Sequence, residues 1–494
     1  MPKRATLYSL DIPPQSGRGR KWRDLYATLR TSILTGELAA GSRLPATREL
    51  ARTLGVARGT VSLSYDLLLA EGFLTSQGGR GTFVANGVSS EKSSKIVAAA
   101  PVKISEPHIS RRGRALLHSP YPSITNRNFP VPFTAFLPDL SEFPHRVWQQ
   151  LSITGMRNQT AADMRDGDAQ GYLPLREALT DYLRAARGLK CTPDNIFILS
   201  STMQALDLTL RLFTDPGDAV IVEDPCYRGA LQLLKASQVE ILPLTVDENG
   251  MQTENLIKMP SKARLIYTTP AHQAPLGSVL SGPRRLFAIQ WARANNSVIF
   301  EDDYDGEYRY SGHPIPALQS NDRFGVVMHG GTFSKTLFPA LRLAYLVVPD
   351  RHVSAFRSAR SLTSRFPQIT DQRTLTEFIR EGHFARHLSR MRRIYSERRE
   401  ALSEAFNRYL DGIAQLSPIQ AGLQTICHFN SNMSEDTILQ ALRKSGLELH
   451  GLKGYQIVRR LPPSAVLGFA PFQPEKIANA ARTMAASLEK LKAE

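Results

Sequence analysis

A single lysine, Lys335, lies among small hydroxylic and apolar residues in the stretch GTFSKTLFPALRLAYLV, residues 331–347. Burial disfavours a charged ammonium, and a neutral amine can form a Schiff base with an aldehyde. Thr332, Ser334 and Arg342 are donors of the kind that hold a phosphate. An aldehyde and a phosphate together describe pyridoxal phosphate. For the lysine alone, a surface residue beside a turn is the simpler interpretation, and only the wider context favours the cofactor.

Polar side chains also follow several short apolar runs. The runs are residues 196–199, 219–222, 265–268, 298–300 and, before the lysine segment, 326–329. They alternate with helical patterns, which predicts a largely parallel sheet with ligand sites at the carboxyl ends of its strands. Taken singly, the polar residues have ordinary explanations as helix caps, a core tyrosine or a solvated acidic loop. The loops at these strand ends are residues 200–203, 223–227, 269–277 and 301–305, and one carboxylate of the last loop is expected to point to the ligand end of the sheet.

The first 88 residues contain three helical patterns followed by a hairpin. The helices are predicted at residues 21–35, 46–54 and 59–70, with Thr47 as the cap of the second. A four-residue turn containing Gly55 joins the last two helices, which is typical of a helix-turn-helix whose second helix enters the DNA major groove. Short strands at residues 73–75 and 82–85 are predicted to form a wing.

The net charge of +16 is concentrated at the front of the chain. Residues 1–89 contain 12 Lys and Arg against 6 Asp and Glu, and residues 90–130 contain 7 against 2. This placement predicts an anionic polymer as the partner of the N-terminal part. Residues 89–130 are rich in Ser, Pro and basic residues and are predicted to be a flexible linker, with one possible helical turn at residues 111–117. Three dispersed cysteines and the lack of an apolar leader or span favour the cytoplasm and no membrane.

The N-terminal part resembles the winged-helix DNA-binding domain of the GntR superfamily, through GSRLPATRELARTLGVARGTV and GRGTFV. The resemblance implies that double-stranded DNA is a partner, with Arg48, Arg58 and Thr60 at the groove and backbone and Arg80 on the wing. Whether Arg48 and Arg58 read guanine edges or clamp phosphates stays open. The alternative is a solvated basic face on a small protein-binding domain.

The order of the later motifs resembles the fold-type I pyridoxal phosphate enzymes of the aspartate aminotransferase class. The resemblance implies that Lys335 forms the Schiff base with the cofactor and that Asp302 pairs with the pyridine nitrogen, which keeps the ring an electron sink. Tyr304 would reach the ring hydroxyl, Tyr227 would stack on the ring, and Gln273 is a weaker candidate near the ring oxygen. The phosphate would be held by Ser201, Thr202, Thr332, Ser334 and Arg342.

With both parts together, the whole chain resembles the MocR-type regulators, through EDDYDGEYRY, GTFSKTLFPALRL and GHFARHLSRMRRIYSERREAL. Some positions depart from the family pattern. Asp166 stands where a tyrosine is usual, Met203 replaces a glutamine, and Ala274 replaces an aromatic residue or an asparagine. The run AVLGFA, residues 465–470, lacks the arginine that often holds a substrate carboxylate, so Arg459 and Arg460 are the substitute candidates for an effector carboxylate.

The sequence therefore predicts a multidomain protein. Residues 1–88 form a winged helix-turn-helix, residues 89–130 a basic linker, and residues 131–494 an α/β fold-type I aminotransferase-like domain with a mainly parallel sheet and a smaller C-terminal α+β subdomain. The predicted function is a homodimeric, pyridoxal phosphate-dependent transcriptional regulator that senses an amine, an amino acid or the cofactor itself. The alternatives are an active aminotransferase with an appended DNA-binding domain, and a DNA-binding scaffold with an empty pocket.

Overall fold

The computed structural model describes residues 21–86, 109–117 and 130–493. The chain divides into two compact units, Met1–His108 and Ile109–Glu494. Most of the predicted linker, residues 89–130, lies outside the described residues, so its predicted bounds stay a prediction. Residues Arg111–Leu117 within it form a helix, α4, which agrees with the helical turn expected there.

The first unit contains three helices and a two-stranded antiparallel hairpin. These elements are α1 (Lys21–Thr35), α2 (Thr47–Thr53), α3 (Arg58–Ala70), β1 (Leu74–Gln77) and β2 (Gly81–Val84). The faces of α1 and α3 bury Leu29, Ile33, Val61 and Leu68 in one apolar core. The predicted helix-turn-helix and wing are confirmed. The predicted cap of α2 is wrong, because Ala46 is the N-cap residue and Thr47 is already inside the helix.

The second unit contains an eight-stranded sheet in the order β3-β10-β9-β8-β7-β4-β5-β6. The strands are β3 (Ile196–Leu199), β4 (Ala219–Asp224), β5 (Glu240–Asp247), β6 (Gly250–Met251), β7 (Leu265–Thr268), β8 (Val298–Asp303), β9 (Val327–Thr332) and β10 (Ala344–Val347). Strands β5, β4, β7, β8 and β9 pair in parallel, whereas β10 is antiparallel to both β9 and β3. Strand β3 therefore runs in the same direction as β9, and the carboxyl ends of these six strands lie at one edge.

Helices cover both faces of this sheet, as expected for buried parallel strands. They are α5 (His145–Arg157), α6 (Leu173–Arg187), α7 (Thr202–Phe213), α8 (Arg228–Ala236), α9 (Gly282–Ala294), α10 (Asp350–Ser364), α11 (Thr370–Arg380) and α12 (His383–Tyr409). Apolar residues of α7, α8 and α10 pack on one face, and those of α6 and α9 pack on the other.

A smaller antiparallel sheet follows, in the order β11-β12-β14-β13. Its strands are β11 (Ala414–Leu416), β12 (Gln424–Phe429), β13 (His450–Gly451) and β14 (Ser464–Gly468), accompanied by α13 (Glu435–Lys444) and α14 (Pro474–Ala493). The predicted α/β architecture with a C-terminal α+β part is confirmed. Within the described ranges, no helix has the length and apolar character needed to cross a membrane.

Candidate cofactor pocket and DNA-binding face

The acidic run of β8, residues 301–303, is divided between the two faces of the large sheet. Because side chains alternate along a strand, Phe300 and Asp302 face one side while Ile299, Glu301 and Asp303 face the other. Glu301 lies 3.0 Å from the imidazole of His329, and Asp303 forms a fully buried ion pair with Arg187. These two carboxylates are used inside the fold, which leaves Asp302 as the carboxylate of the run that can serve a ligand.

Asp302 is buried and incompletely hydrogen bonded. Its Oδ2 accepts a 2.9 Å hydrogen bond from the hydroxyl of Tyr267, whereas its Oδ1 has no partner among the described residues. Burial raises the pKa of Asp302 to about 7. A buried carboxylate with a free oxygen and a raised pKa needs a cationic donor, and a protonated pyridine nitrogen is such a donor. The site therefore fits the ring of pyridoxal phosphate.

Lys335 follows β9 by three residues and lies near the same carboxylates. Its Nζ donates a 2.6 Å hydrogen bond to the carbonyl of Phe136. Burial lowers the pKa of Lys335 to about 8, although the negative charges of Asp305 and Asp302 act in the opposite direction and raise it. With this pKa about a tenth of the lysine is neutral at pH 7, and the neutral amine is the state that reacts with an aldehyde.

The predicted phosphate ligands lie at the start of α7 and in the turn after β9. Ser201 is the N-cap of α7, and its Oγ accepts a 3.1 Å hydrogen bond from the amide of Gln204, while Thr202 is the first helical residue. The first N–H groups of a helix have no intrahelical acceptor and favour an anion. Thr332 Oγ1 accepts a 3.1 Å hydrogen bond from the amide of Ser334, which shapes the second turn. Arg342 is exposed, in the left-handed conformation with φ 52°, and its role towards phosphate stays a prediction.

The polar turn after β7 differs from the prediction. The side chain of Gln273 is buried, and its amide nitrogen donates to Glu223 Oε2 at 3.1 Å and to the carbonyl of Pro225 at 2.8 Å. Its amide oxygen accepts from the amide of Leu276 at 2.9 Å. Gln273 is thus used to brace the turn rather than directed at a ring oxygen, and the neighbouring His272 is the side chain that approaches Tyr304.

Tyr304 lies directly after β8, and its hydroxyl is 3.1 Å from Nδ1 of His272. The same nitrogen is 2.8 Å from Oδ1 of Asp305. Burial, the negative charge of Asp305 and that of Asp302 raise the pKa of Tyr304, so its phenol stays protonated. His272 and Asp305 were missed in the sequence, because 33 residues separate them and no spacing rule joins them. The ring of Tyr227, at the start of α8, lies against Gly229, where a Cβ would come within 2.8 Å of it.

The two arginines proposed for an effector carboxylate are used elsewhere. Arg459 donates its side chain to the carbonyl of Val246 at the end of β5, and Arg460 donates to the carbonyl of Ile457 at 3.3 Å. The backbone amide of Arg459 donates to Asp224, at the end of β4. Asp166, at the position where a tyrosine is usual, forms an exposed 3.0 Å ion pair with Arg365.

The first unit presents its predicted DNA contacts on exposed surfaces. Arg48 on α2, Arg58 at the first position of α3 and Arg80 in the wing turn are exposed, and Thr60 in the first turn of α3 is half-buried. Arg43 was missed. Its backbone bridges to Phe83 of β2, and its guanidinium lies against Gly81, where a Cβ would come within 2.9 Å of Nε. Arg43 therefore adds a second basic residue beside the wing.

Comparisons with known proteins match both units. The gntR family of bacterial regulatory proteins matches residues 22–84, and aminotransferase class I and II matches residues 142–455. The kynurenine aminotransferase of Pyrococcus horikoshii has the same fold as 81% of this chain, with a TM-score of 0.68 over 99% of its own length at 24% sequence identity. The multiple substrate aminotransferase of Thermococcus profundus has a TM-score of 0.69 at 22% identity, over 78% of this chain and 98% of its own. The fold and the pocket define a winged-helix DNA-binding domain fused to a fold-type I aminotransferase domain, whose family binds pyridoxal phosphate.

Relatives with this fused architecture are regulators. The probable rhizopine catabolism regulatory protein MocR of Rhizobium meliloti is 35% identical over 92% of this chain and 90% of its own. The regulator TauR of Rhodobacter capsulatus is 33% identical over 79% of this chain and 80% of its own length. The pyridoxine biosynthesis regulator PdxR of Corynebacterium glutamicum is 29% identical over 86% of this chain and 87% of its own length. The chain belongs to the MocR-type transcriptional regulators, which combine GntR-type DNA binding with a pyridoxal phosphate domain.

Proposed function

We propose that Lys335 would hold pyridoxal phosphate covalently, and that DNA binding would change when an amine or amino acid takes the place of this lysine or when the supply of the cofactor changes. The observation that carries the proposal is that a partly buried amine of lowered pKa lies near a buried carboxylate, Asp302, that has an unpartnered oxygen. When bound, the cofactor supplies an aldehyde that captures amines and a ring that withdraws electrons.

The protein supplies binding and orientation. Asp302 would accept a hydrogen bond from the protonated ring nitrogen, the start of α7 and the turn of Thr332 and Ser334 would hold the phosphate, and Tyr227 would cover one face of the ring. Arg342 is included as a phosphate contact on the family pattern alone. The carbonyl of Phe136 accepts a 2.6 Å hydrogen bond from the amine of Lys335.

The second candidate function is an active aminotransferase. It is favoured by the fold and by the presence of Lys335, Asp302 and Tyr304 in one pocket. A substrate α-carboxylate would need a fixed cation, and the side chains of Arg459 and Arg460 are instead hydrogen bonded to backbone carbonyls. Regulation without turnover is therefore the function we prefer.

A homodimer is part of the proposal, because operators of helix-turn-helix proteins are read as paired half-sites. Arg48, Arg58 and Thr60 would contact the major groove and its backbone, and Arg80 with Arg43 would contact phosphates beside the wing. The effector changes the balance between two dimer arrangements only by its differential affinity for them.

Operator binding and turnover can be measured on the same samples. Full-length protein is titrated onto DNA upstream of its own gene with a panel of amines, amino acids and pyridoxal phosphate, and each compound is also tested in a coupled transamination assay. We expect at least one compound to change operator affinity without being turned over. Steady turnover with no compound affecting DNA binding would establish the aminotransferase instead.

The pKa of Lys335 predicts how cofactor capture depends on pH. Protein stripped of pyridoxal phosphate should bind the aldehyde about tenfold faster for each pH unit up to roughly pH 8 and level off above, because the neutral amine fraction saturates there. Growth of the visible absorption band after mixing measures the rate, and a small-molecule lysine analogue under the same conditions is the control. A rate that keeps rising in parallel with the analogue through pH 10 would show that Lys335 is not perturbed.

Arg80 on the wing tests the DNA contact. Arg80→Ala should weaken operator and nonspecific DNA alike and reduce the slope of log affinity against log salt by about one, because one phosphate contact is lost. Arg482→Ala, which replaces an exposed arginine on α14, gives the same change in net charge as a control. Equal effects of the two substitutions would mean that overall charge, and not the wing, is responsible.

A further inference from the structure

Three buried polar side chains and one partly buried tyrosine meet beside the end of β8. They are His272, Asp305 and Gln424, each at most 6% exposed, and the partly buried Tyr304. Nδ1 of His272 lies 2.8 Å from Asp305 Oδ1 and 3.1 Å from the hydroxyl of Tyr304, and Nε2 of Gln424 lies 3.4 Å from that hydroxyl. One imidazole nitrogen therefore faces both a carboxylate and a phenol.

The hydrogen positions in this cluster follow from what each group can donate. A carboxylate only accepts, so Nδ1 of His272 carries the hydrogen and donates it to Asp305. That nitrogen then has no lone pair to accept from Tyr304. The amide nitrogen of Gln424 also only donates. The phenol oxygen therefore lies beside two nitrogens that cannot accept from it, and no other hydrogen-bond partner of its O–H is found among the described residues.

The packing holds the imidazole in this orientation. Gly422 has φ 81°, and a Cβ there would collide with Cε1 of His272 and lie 2.7 Å from Oδ2 of Asp305. Gly277, with φ 80°, lies against the other edge of the ring, where a Cβ would come within 3.2 Å of Nε2. Two glycines in the left-handed region allow this close approach, because a side chain at either position would be strained or displace the imidazole.

We infer that His272 and Asp305 are positioning residues that make the Tyr304 hydroxyl a hydrogen-bond donor towards the ring oxygen of the bound cofactor. The inference rests on the proposed function, since it requires pyridoxal phosphate in the pocket. Asp305 fixes the tautomer of His272 with the hydrogen on Nδ1. Nδ1 then cannot accept a hydrogen bond from the hydroxyl of Tyr304, so the phenol hydrogen points into the pocket. The other charges that face the cluster are Lys335, Asp302 and Glu223.

The side-chain chemistry offers a matched pair of variants at His272. The amide nitrogen of asparagine occupies the position of Nδ1, since both are bonded to Cγ, so His272→Asn keeps a donor to Asp305. His272→Leu has no donor. Tyr304→Phe removes the phenol and gives the full effect of losing its hydrogen bond. A donated hydrogen bond stabilises an anionic ring oxygen, so its loss raises the pH at which the cofactor's visible band changes.

The experiment is a pH titration of the visible absorption band of full-length protein loaded with pyridoxal phosphate. We expect Tyr304→Phe to raise the midpoint by about one pH unit. His272→Leu should reproduce most of this shift, His272→Asn should restore the wild-type midpoint, and the double variant His272→Leu/Tyr304→Phe should shift no further than Tyr304→Phe alone. A merely structural histidine would not give this pattern. If His272→Leu leaves the midpoint unchanged while Tyr304→Phe moves it, the inference is overturned.

The wild-type protein supplies an independent measurement if a His272 variant does not fold. In ¹⁵N-labelled full-length protein, NMR of the histidine ring should show His272 as the tautomer protonated at Nδ1, and a lone pair at Nδ1 would overturn the inference. Failure of the proposed function is distinguishable, because wild-type protein would then show no visible band that borohydride removes.

Discussion

Replacing Lys335 with alanine is expected to abolish the response of operator binding to amines while leaving operator binding itself intact. The substitution removes the only amine that we propose for covalent attachment, so an incoming amine has no lysine to displace. The cofactor can still enter through its phosphate contacts, but it is held noncovalently. The DNA contacts belong to a separate compact unit, so they do not depend on the substituted side chain. Footprinting with and without pyridoxal phosphate and candidate amines measures both effects.

The control for this experiment is Lys258→Ala, which removes an exposed lysine outside the pocket. It should respond as the wild type does. A Lys335→Ala protein with a full response would show that Lys335 is not the sensing residue. Complete loss of DNA binding in that variant would show that the bound cofactor is structural.

Asp303→Asn is expected to destabilise the second unit by about 3–5 kcal/mol, because it leaves the guanidinium of Arg187 buried without its counter-charge. Both side chains of this ion pair are 3% exposed, so water cannot replace the carboxylate. The free energy of unfolding from urea titrations, followed by the fluorescence of the second unit, measures the effect. A change in the free energy of unfolding below about 1 kcal/mol, which is the usual contribution of an exposed ion pair, would contradict the role of Asp303 as the buried counter-charge of Arg187.

Asp302→Asn is the matched variant one position earlier, and it is expected to raise the free energy of unfolding where Asp303→Asn lowers it. The folded-state pKa of Asp302 is raised to about 7, so the folded protein without cofactor binds a proton more tightly than the unfolded chain does. Stability is therefore lost as pH rises from about 4 to 7, and the amide of the variant removes this loss. At pH 8, the Asp302→Asn protein stripped of cofactor should be at least as stable as the stripped wild type. With cofactor bound, the same variant should have an altered visible spectrum.

The two variants together test the register of the acidic run. If Asp303→Asn changed the cofactor spectrum and Asp302→Asn destabilised the fold, the assignment would be wrong by one residue. The alternation of β8 argues against this outcome, since Phe300 and Asp302 share the face that carries Tyr267.

Much of the fold could be predicted because its signals are local. Strands β3 and β7 have the predicted bounds, since each is a short apolar run with a polar residue directly after it. Strand β5 was missed because its sequence, EILPLTVD, contains a proline and no unbroken apolar run. The antiparallel direction of β10 was also not predictable, since apolar content does not encode strand direction.

For the site, the sequence supports a proposal where one residue type carries the chemistry, and it does not reveal contacts between residues that are remote in sequence. Lys335 was proposed from the hydroxylic and apolar residues around it, whereas Asp302 was chosen within residues 301–305 only through the family resemblance. The contact between Lys335 and Phe136 spans 199 residues, and that between His272 and Asp305 spans 33, so no periodicity reveals either. Gln273 was placed near the ring because it is a side-chain donor in the polar turn, but the buried carboxylate of Glu223 uses its amide instead.

The most direct test of the central claim is to reduce the cofactor-loaded protein with borohydride, digest it and locate the modified peptide by mass spectrometry. The account predicts that the reduced pyridoxal phosphate label lies on the peptide carrying Lys335, that prior incubation with an effector amine lowers this label, and that Lys335→Ala protein carries none. A label on another lysine, or no label in wild-type protein that shows a visible cofactor band, would contradict the account.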